Sequence, residues 1–167
     1  INGGDQGLTT RENAKDPVQA VSEGRVKSAV IACDCRHNSP EFSELAALIL
    51  NAAGIKTYLF TSLRPTPELS YAVRLLGCDT GIMVTSSHNT KEYNGMKFYG
   101  PDGCQLPDAP AEAVTACIER LRQGTVAESA ARIRKMSRQD AEAAGLFKLI
   151  DKEVDESYYE TLKGLIL

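Results

Sequence analysis

Short apolar runs and helical stripes alternate along this chain, and their spacing predicts the elements. Ser28-Ala-Val-Ile-Ala-Cys33 is compact enough for a buried strand. A helix follows with Ser39 as N-cap and Pro40 at the first helical position. Phe42, Leu45, Ala46, Ile49, Ala52 and Ala53 recur at helical spacing until Gly54 supplies the stop. Residues 55–60 form the next strand. The pattern then repeats, with Thr66 as cap, Pro67 behind it, Leu69, Ala72, Val73 and Leu76 on one stripe, and Gly77 at the end. A third strand over 81–84 stops abruptly in a polar stretch. Strand, helix, strand, helix, strand with short connections predicts parallel pairing through right-handed crossovers. The fold class is therefore α/β, a three-layer domain with a mainly parallel sheet and crossover helices.

Beyond that unit the pattern weakens. Residues 96–99 and 104–106 flank Gly100-Pro-Asp-Gly103, which predicts a short antiparallel hairpin. A helix over about 110–123 follows, with Asp108 as cap and Val114, Cys117, Ile118 and Leu121 on one side. The alanine- and charge-rich stretch 125–148 reads as helical, and 155–167 as a closing helix. Residues 17–23 suit a short helix, while 1–16 predict no regular element. No internal repeat is visible.

Composition narrows the function classes. At 167 residues, against roughly 100–200 per domain, the chain has room for one domain. A net charge of −3, without a basic stripe, argues against nucleic acid as a partner. No apolar run approaches the about 18 residues of a membrane helix, so no membrane association is expected. The opening residues do not resemble a signal peptide, and a cytoplasmic location is expected. Five scattered cysteines suit reduced core thiols better than a disulfide framework. The absence of an initial methionine leads us to expect a fragment of a longer chain.

Candidate chemistry concentrates where the third strand ends. Residues 85–93 offer hydroxyls, a histidine, an asparagine and a lysine before Asn94-Gly95 turns the chain. Open α/β sheets bind ligands at the carboxyl ends of their strands, so this loop is the leading site candidate. Phosphoryl transfer needs an oxygen nucleophile, positive charge or oriented N–H groups, and a proton carrier. Ser87, Lys97 and His88 fit those tasks. From the residues alone Ser87 also suits a turn-forming hydroxyl, His88 a loop contact and Lys97 an exposed strand position. Thr85 and Asn89 read as organisers of the turn. Asp34 and Arg36 end the first strand, and convergence of parallel strand ends lets Arg36 reach Ser87, or else form a loop ion pair. Cys33, Cys35 and His37 are a weak metal cluster, lacking a second ligand pair.

Thr85-Ser-Ser-His-Asn-Thr90 resembles the Thr-Ala-Ser-His-Asn-Pro loop of the α-D-phosphohexomutases, the phosphoglucomutase and phosphomannomutase superfamily. Asn94-Gly-Met-Lys97 resembles that family's second signature, Asp34-Cys-Arg36 its Asp-Ser-Arg, and Asp151-Lys-Glu-Val-Asp-Glu-Ser-Tyr-Tyr-Glu160 the junction between its first two domains. Arg64-Pro-Thr-Pro67 also resembles a family segment. The resemblance implies the first domain, with Ser87 as the phosphoryl carrier and His88 and Lys97 assisting proton transfer and charge stabilisation. Thr85, Asn89 and Arg36 would surround phosphate or substrate. It further implies Mg2+ on the Ser87 phosphate, glucose 1,6-bisphosphate as activator and intermediate, and a sugar phosphate substrate; the look of residues 99–105 and of the loop before them points to the hexose enzymes, with glucose the expected sugar. The remaining domains of the parent enzyme would be its partners, and the chain alone would be inactive. Ser86 and Thr90 depart from the family's alanine and proline, and the glycine-rich opening with its own arginine is not recognisable in 1–16. A non-catalytic phosphosugar-binding module and a generic α/β interaction domain are the alternatives.

Overall fold

A computed structural model describes residues 26–166; the helix expected over 17–23 lies outside the described residues. Strands β1 (Ser28–Cys33), β2 (Lys56–Phe60) and β3 (Thr80–Val84) alternate with helices α1 (Ser39–Ala52) and α2 (Thr66–Leu75). Then come β4 (Met96–Tyr99), α3 (Asp108–Leu121), α4 (Val126–Arg132), α5 (Arg138–Ala143), β5 (Phe147–Ile150) and α6 (Lys152–Lys163). The five strands lie in the order β4-β3-β1-β2-β5. All neighbours are parallel except β3 and β4. Every residue of β1 is buried, as expected of a central parallel strand covered on both faces.

Each face of the sheet has its own core. Val30, Ala32, Met83 and Tyr99 pack with Leu69, Ala72 and Val73 of α2 and Val154 of α6. Ile31, Leu59, Ile82 and Val84 pack with Ala47 of α1 and Ala141 of α5 on the other. The three-layer α/β arrangement expected from the pattern is the one observed.

Helix α1 presents a different stripe from the one its apolar residues predict. Ser39, Ser43, Ala47 and Asn51 face inward, while Phe42 and Leu45 are 40% and 42% exposed. Small residues on the inner stripe let the helix approach the sheet, and their polar atoms are satisfied locally. Ser43 donates to the Ser39 carbonyl at 2.8 Å, and Asn51 Nδ2 donates to the carbonyls of Ile55 and Leu146 at 3.0 and 2.9 Å. Asn38, in a left-handed conformation, occupies the cap position assigned to Ser39, which becomes the first helical residue.

The segment read as helical over 125–148 contains two short helices and then a strand. Gly145, at φ 67°, ends the α5 region, and β5 adds to the sheet beside β2, burying Phe147 and Ile150. The hairpin expected after the polar loop is half realised. β4 pairs with β3, whereas the returning chain makes one bridge, between Tyr99 and Gln105. Gly103, at φ 76°, closes that turn so tightly that a Cβ would lie 2.5 Å from the Ser70 carbonyl.

The closing helix starts earlier than predicted and is anchored by charge. Arg64 meets Asp155 through two bonds of 2.8 Å and Asp151 at 3.0 Å. Thr61 also bonds Asp151 through its hydroxyl. Among the described residues no helix is long and apolar enough to cross a membrane.

Candidate active site

The site is built at the carboxyl ends of β1 and β3, which are neighbours in the sheet. The ladder continues past both strands, the Asp34 amide donating to the Val84 carbonyl at 3.2 Å. The Thr85 amide then turns to the Gly95 carbonyl at 2.9 Å, so the polar loop 85–95 leaves and returns at one place. Asn94 fastens its base by donating to Ser39 Oγ at 2.8 Å and to the His37 carbonyl at 3.1 Å. The Gly95 amide closes the turn on Asn94 Oδ1.

Arg36 organises the interior of the loop. Its side chain is 7% exposed, and Nε donates to Asp34 Oδ2 at 3.0 Å. Nη2 donates to the Ser87 carbonyl at 2.6 Å, and Nη1 to the carbonyls of Asn89, Thr90 and Tyr93 at 2.8, 2.8 and 3.2 Å. A buried guanidinium requires that many acceptors, and an irregular loop supplies them. Thr85, also buried, donates its hydroxyl to Asp34 Oδ2 at 2.5 Å and accepts the Ser87 amide at 3.1 Å. Asp34, Thr85 and Ser87 are thereby joined in one bonded chain.

Ser87 stands exposed at the turn, with φ 57°. For a residue other than glycine this left-handed backbone is unfavourable by about 1–2 kcal/mol, and such outliers concentrate at functional sites. His88 and Asn89 are exposed beside it. Asn89 Nδ2 donates to Ser86 Oγ at 3.1 Å, and the Asn89 amide to the Ser86 carbonyl. A hydrogen bond from the Thr90 side chain holds the exposed Glu92 carboxyl below its usual range.

The structure thus joins Arg36, Thr85, Ser87 and Asn89 by direct bonds and sets His88 next to them. Lys97 stands two residues past the base of the loop, pairing with Met83 in the β3–β4 ladder, and lines a groove of about 240 Å³ with Phe98, Leu106, Val114 and Ile118. No bond links Lys97 to the loop among the described residues. Sequence reasoning passed over Tyr93, whose carbonyl Arg36 holds, and the part Asn94 plays in tying the loop to α1. The Asn-Gly pair was the available signal for the latter. Cys33 is buried, and burial pushes its thiol up. Among the described residues no group of three or more His, Cys, Asp or Glu is suited to a metal.

Residues 8–125 match the model of the phosphoglucomutase/phosphomannomutase α/β/α domain I, well over half of the chain. The chain belongs to that family. It is 38% identical over 137 residues to a phosphoglucomutase of Staphylococcus epidermidis, covering 82% of this chain and 24% of the relative. With a Staphylococcus aureus phosphoglucomutase it shares 47% identity over 92 residues, 55% of this chain and 17% of the relative. A solved structure from Thermus thermophilus, described as a phosphomannomutase, superposes with a TM-score of 0.68 at 28% identity. It covers 90% of this chain and 30% of that one. A phosphoglucomutase/phosphomannomutase family protein of Burkholderia thailandensis gives 0.59 at 26% identity, covering 89% and 29%. The chain spans about a quarter of the length of the first of these curated relatives. This phosphohexomutase domain carries its polar loop on the strand ends just described.

Proposed function

We propose that Ser87 is the phosphoryl-bearing serine of a phosphohexomutase that interconverts hexose 1-phosphate and hexose 6-phosphate, with glucose as the sugar. The observation that carries this reading is the setting of Ser87: exposed, left-handed, with its amide held by Thr85 and its carbonyl by Arg36. In the resting cycle the Ser87 phosphate is attacked by the free hydroxyl of the bound sugar phosphate. The bond between phosphorus and Ser87 Oγ breaks as the new one forms, giving a 1,6-bisphosphate. After the bisphosphate reorients, Ser87 Oγ takes the phosphoryl group from the other position.

His88 is the group placed to take and return the hydroxyl proton, because it adjoins Ser87 and an imidazole exchanges protons readily near neutrality. Thr85 fixes the Ser87 backbone, and Asn89 braces the turn. Arg36 acts on the loop rather than as a free phosphate ligand, since its N–H groups are engaged with loop carbonyls and Asp34. Lys97, at the start of β4 just past the loop, supplies positive charge.

The resemblance implies magnesium on the Ser87 phosphate. The described residues do not themselves form a magnesium site, and no step above depends on one. The further ligands, the sugar contacts and the second phosphate site belong to the other domains of the parent, toward which residues 150–167 form the junction. Sugar phosphate as partner and a cytoplasmic location are parts of the same proposal.

The test is peptide mapping across residues 80–97 of the parent enzyme, purified without phosphatase treatment. One phosphate on Ser87, absent from Ser87→Ala, is the expected result. Complete absence of phosphate after incubation with glucose 1,6-bisphosphate and magnesium would overturn the proposal in favour of a binding module without turnover.

A further inference from the structure

The bonds of Arg36 also orient the opposite side of the loop. In a planar trans peptide the N–H points away from the C=O, and no peptide bond among the described residues is cis. Arg36 draws in the carbonyls of Ser87, Asn89, Thr90 and Tyr93. The amides that follow them, those of His88, Thr90, Lys91 and Asn94, are consequently turned away from the guanidinium. None of these four donates to a protein group among the described residues, whereas the amides of Thr85, Ser87, Asn89, Tyr93 and Gly95 all do. The loop is sorted: carbonyl oxygens inward on a buried cation, free N–H groups outward beside an exposed serine.

We infer that Arg36 is a positioning residue, and that the unpartnered amides it turns outward, at His88, Thr90, Lys91 and Asn94, form an N–H array for the oxygens of a phosphoryl group at Ser87. Successive outward amides are a recurring anion-binding device, because each supplies partial positive charge without an entropic cost at the moment of binding. The same sorting removes four carbonyl oxygens from the side where phosphoryl oxygens would otherwise meet like charge. Lysine could not substitute: three protons on one nitrogen cannot reach four carbonyls and a carboxylate, whereas the planar fork does so. Asp34 holds the fork in place, and both its bonds, to Arg36 and Thr85, rest on the same oxygen, Oδ2.

This inference rests on the reading of Ser87 as phosphoryl carrier, and two measurements separate the ideas. The first follows backbone and Arg36 Nε–H NMR signals of the 167-residue chain during titration with inorganic phosphate. Concerted movement of the His88, Thr90, Lys91 and Asn94 amides is expected. Movement of the Arg36 Nε–H with the four amides static would overturn the array and make the guanidinium itself the ligand; no movement at all would also overturn it.

The second measures phosphoryl uptake from glucose 1,6-bisphosphate by the dephosphorylated parent enzyme and its Arg36→Lys variant. A fall of about 100-fold in the maximal uptake rate, with little change in the bisphosphate concentration that half-saturates it, is expected. Uptake by the variant at the wild-type rate would overturn the array and leave Ser87 as carrier. Failure of the wild type to take up phosphate, with the amides still responding to inorganic phosphate, would overturn the carrier and leave the array. If Arg36→Lys does not fold, the wild-type titration alone decides.

Discussion

Glu68 is the residue whose environment and charge conflict most. It is 1% exposed on the inner face of α2, in that helix's first turn, and its Oε1 has no hydrogen-bond partner among the described residues. Burial, followed by a side-chain bond with Asp155, pushes its carboxyl up from 4.5 to about 7. Arg64 stands 3.7 Å away, too weakly placed to reverse this, because its fork is already committed to Asp155 and Asp151. Asp155 shifts the other way, held below its usual range by the hydrogen bond from Arg64. The signs are therefore opposed. A raised carboxyl stabilises the fold fully below its unfolded value and loses that contribution as pH rises through the folded value. Glu68 thus makes stability fall between pH 4.5 and about 7, while the Asp155 contribution is lost only under more acidic conditions. Glu68→Gln, which mimics the protonated form, is expected to flatten that slope and to raise the urea midpoint at about pH 8, above the folded value, relative to wild type. Equal wild-type and variant midpoints there would show that the buried carboxylate is accommodated without penalty.

At the scale of elements, the same cluster decides how α6 docks. The helix contributes one buried residue, Val154, while Arg64, Tyr71 and Thr61 supply its polar attachments. Arg64→Lys keeps one charge and loses the two-pronged grip on Asp155. A loss of about 2 kcal/mol is expected, with hydrogen exchange accelerated throughout α6 and unchanged in β1 and β3. Uniform acceleration across the sheet would mean that α6 is part of the cooperative core instead. The elements also differ in how far the sequence alone discloses them. The strands β1 to β3 and the extent of α1 and α2 were legible because apolar runs of strand length alternate with stripes bounded by proline and glycine. The inner face of α1 was not, because serine and asparagine occupy it and gain their stability from bonds to residues as distant as Leu146. β5 was hidden because only Phe147 and Ile150 of its four residues are buried, too few to set a period beside an alanine-rich helical stretch. In the site, the run from Thr85 to Asn89 was legible from its own polarity. The grip of Arg36 was not, since it runs to backbone carbonyls, which any residue type provides.

At the scale of the whole molecule, the proposed function would give this domain one end of a mutase site. Isomerisation requires a sugar held at one phosphate while the other faces Ser87, and then the reverse. Outside the loop, two grooves on the described surface are lined largely by apolar side chains such as Phe98, Leu106 and Ile118, or Leu59, Phe60 and Leu63, and a third holds Arg132 and Arg134 beside Ile49 and Leu121. The first two carry one cation each, Lys97 in one and Arg138, already paired with Glu44 and Glu142, in the other, and the third lies at the last turn of α1, away from the loop; none gathers several free cations beside Ser87 for a second phosphate. Positioning of this kind contributes roughly 7–11 kcal/mol to a barrier when it is complete. A chain that spans 24% of its Staphylococcus epidermidis relative would forfeit most of it. The isolated chain is therefore expected to convert glucose 1-phosphate at least about 10,000-fold more slowly than its parent, measured through a coupled assay for glucose 6-phosphate with glucose 1,6-bisphosphate and magnesium present. Ser87→Ala in the isolated chain serves as the blank. Turnover within about 100-fold of the parent, abolished by Ser87→Ala, would show that the loop and its own amides suffice to hold the sugar, and that the other domains tune the reaction rather than complete its site.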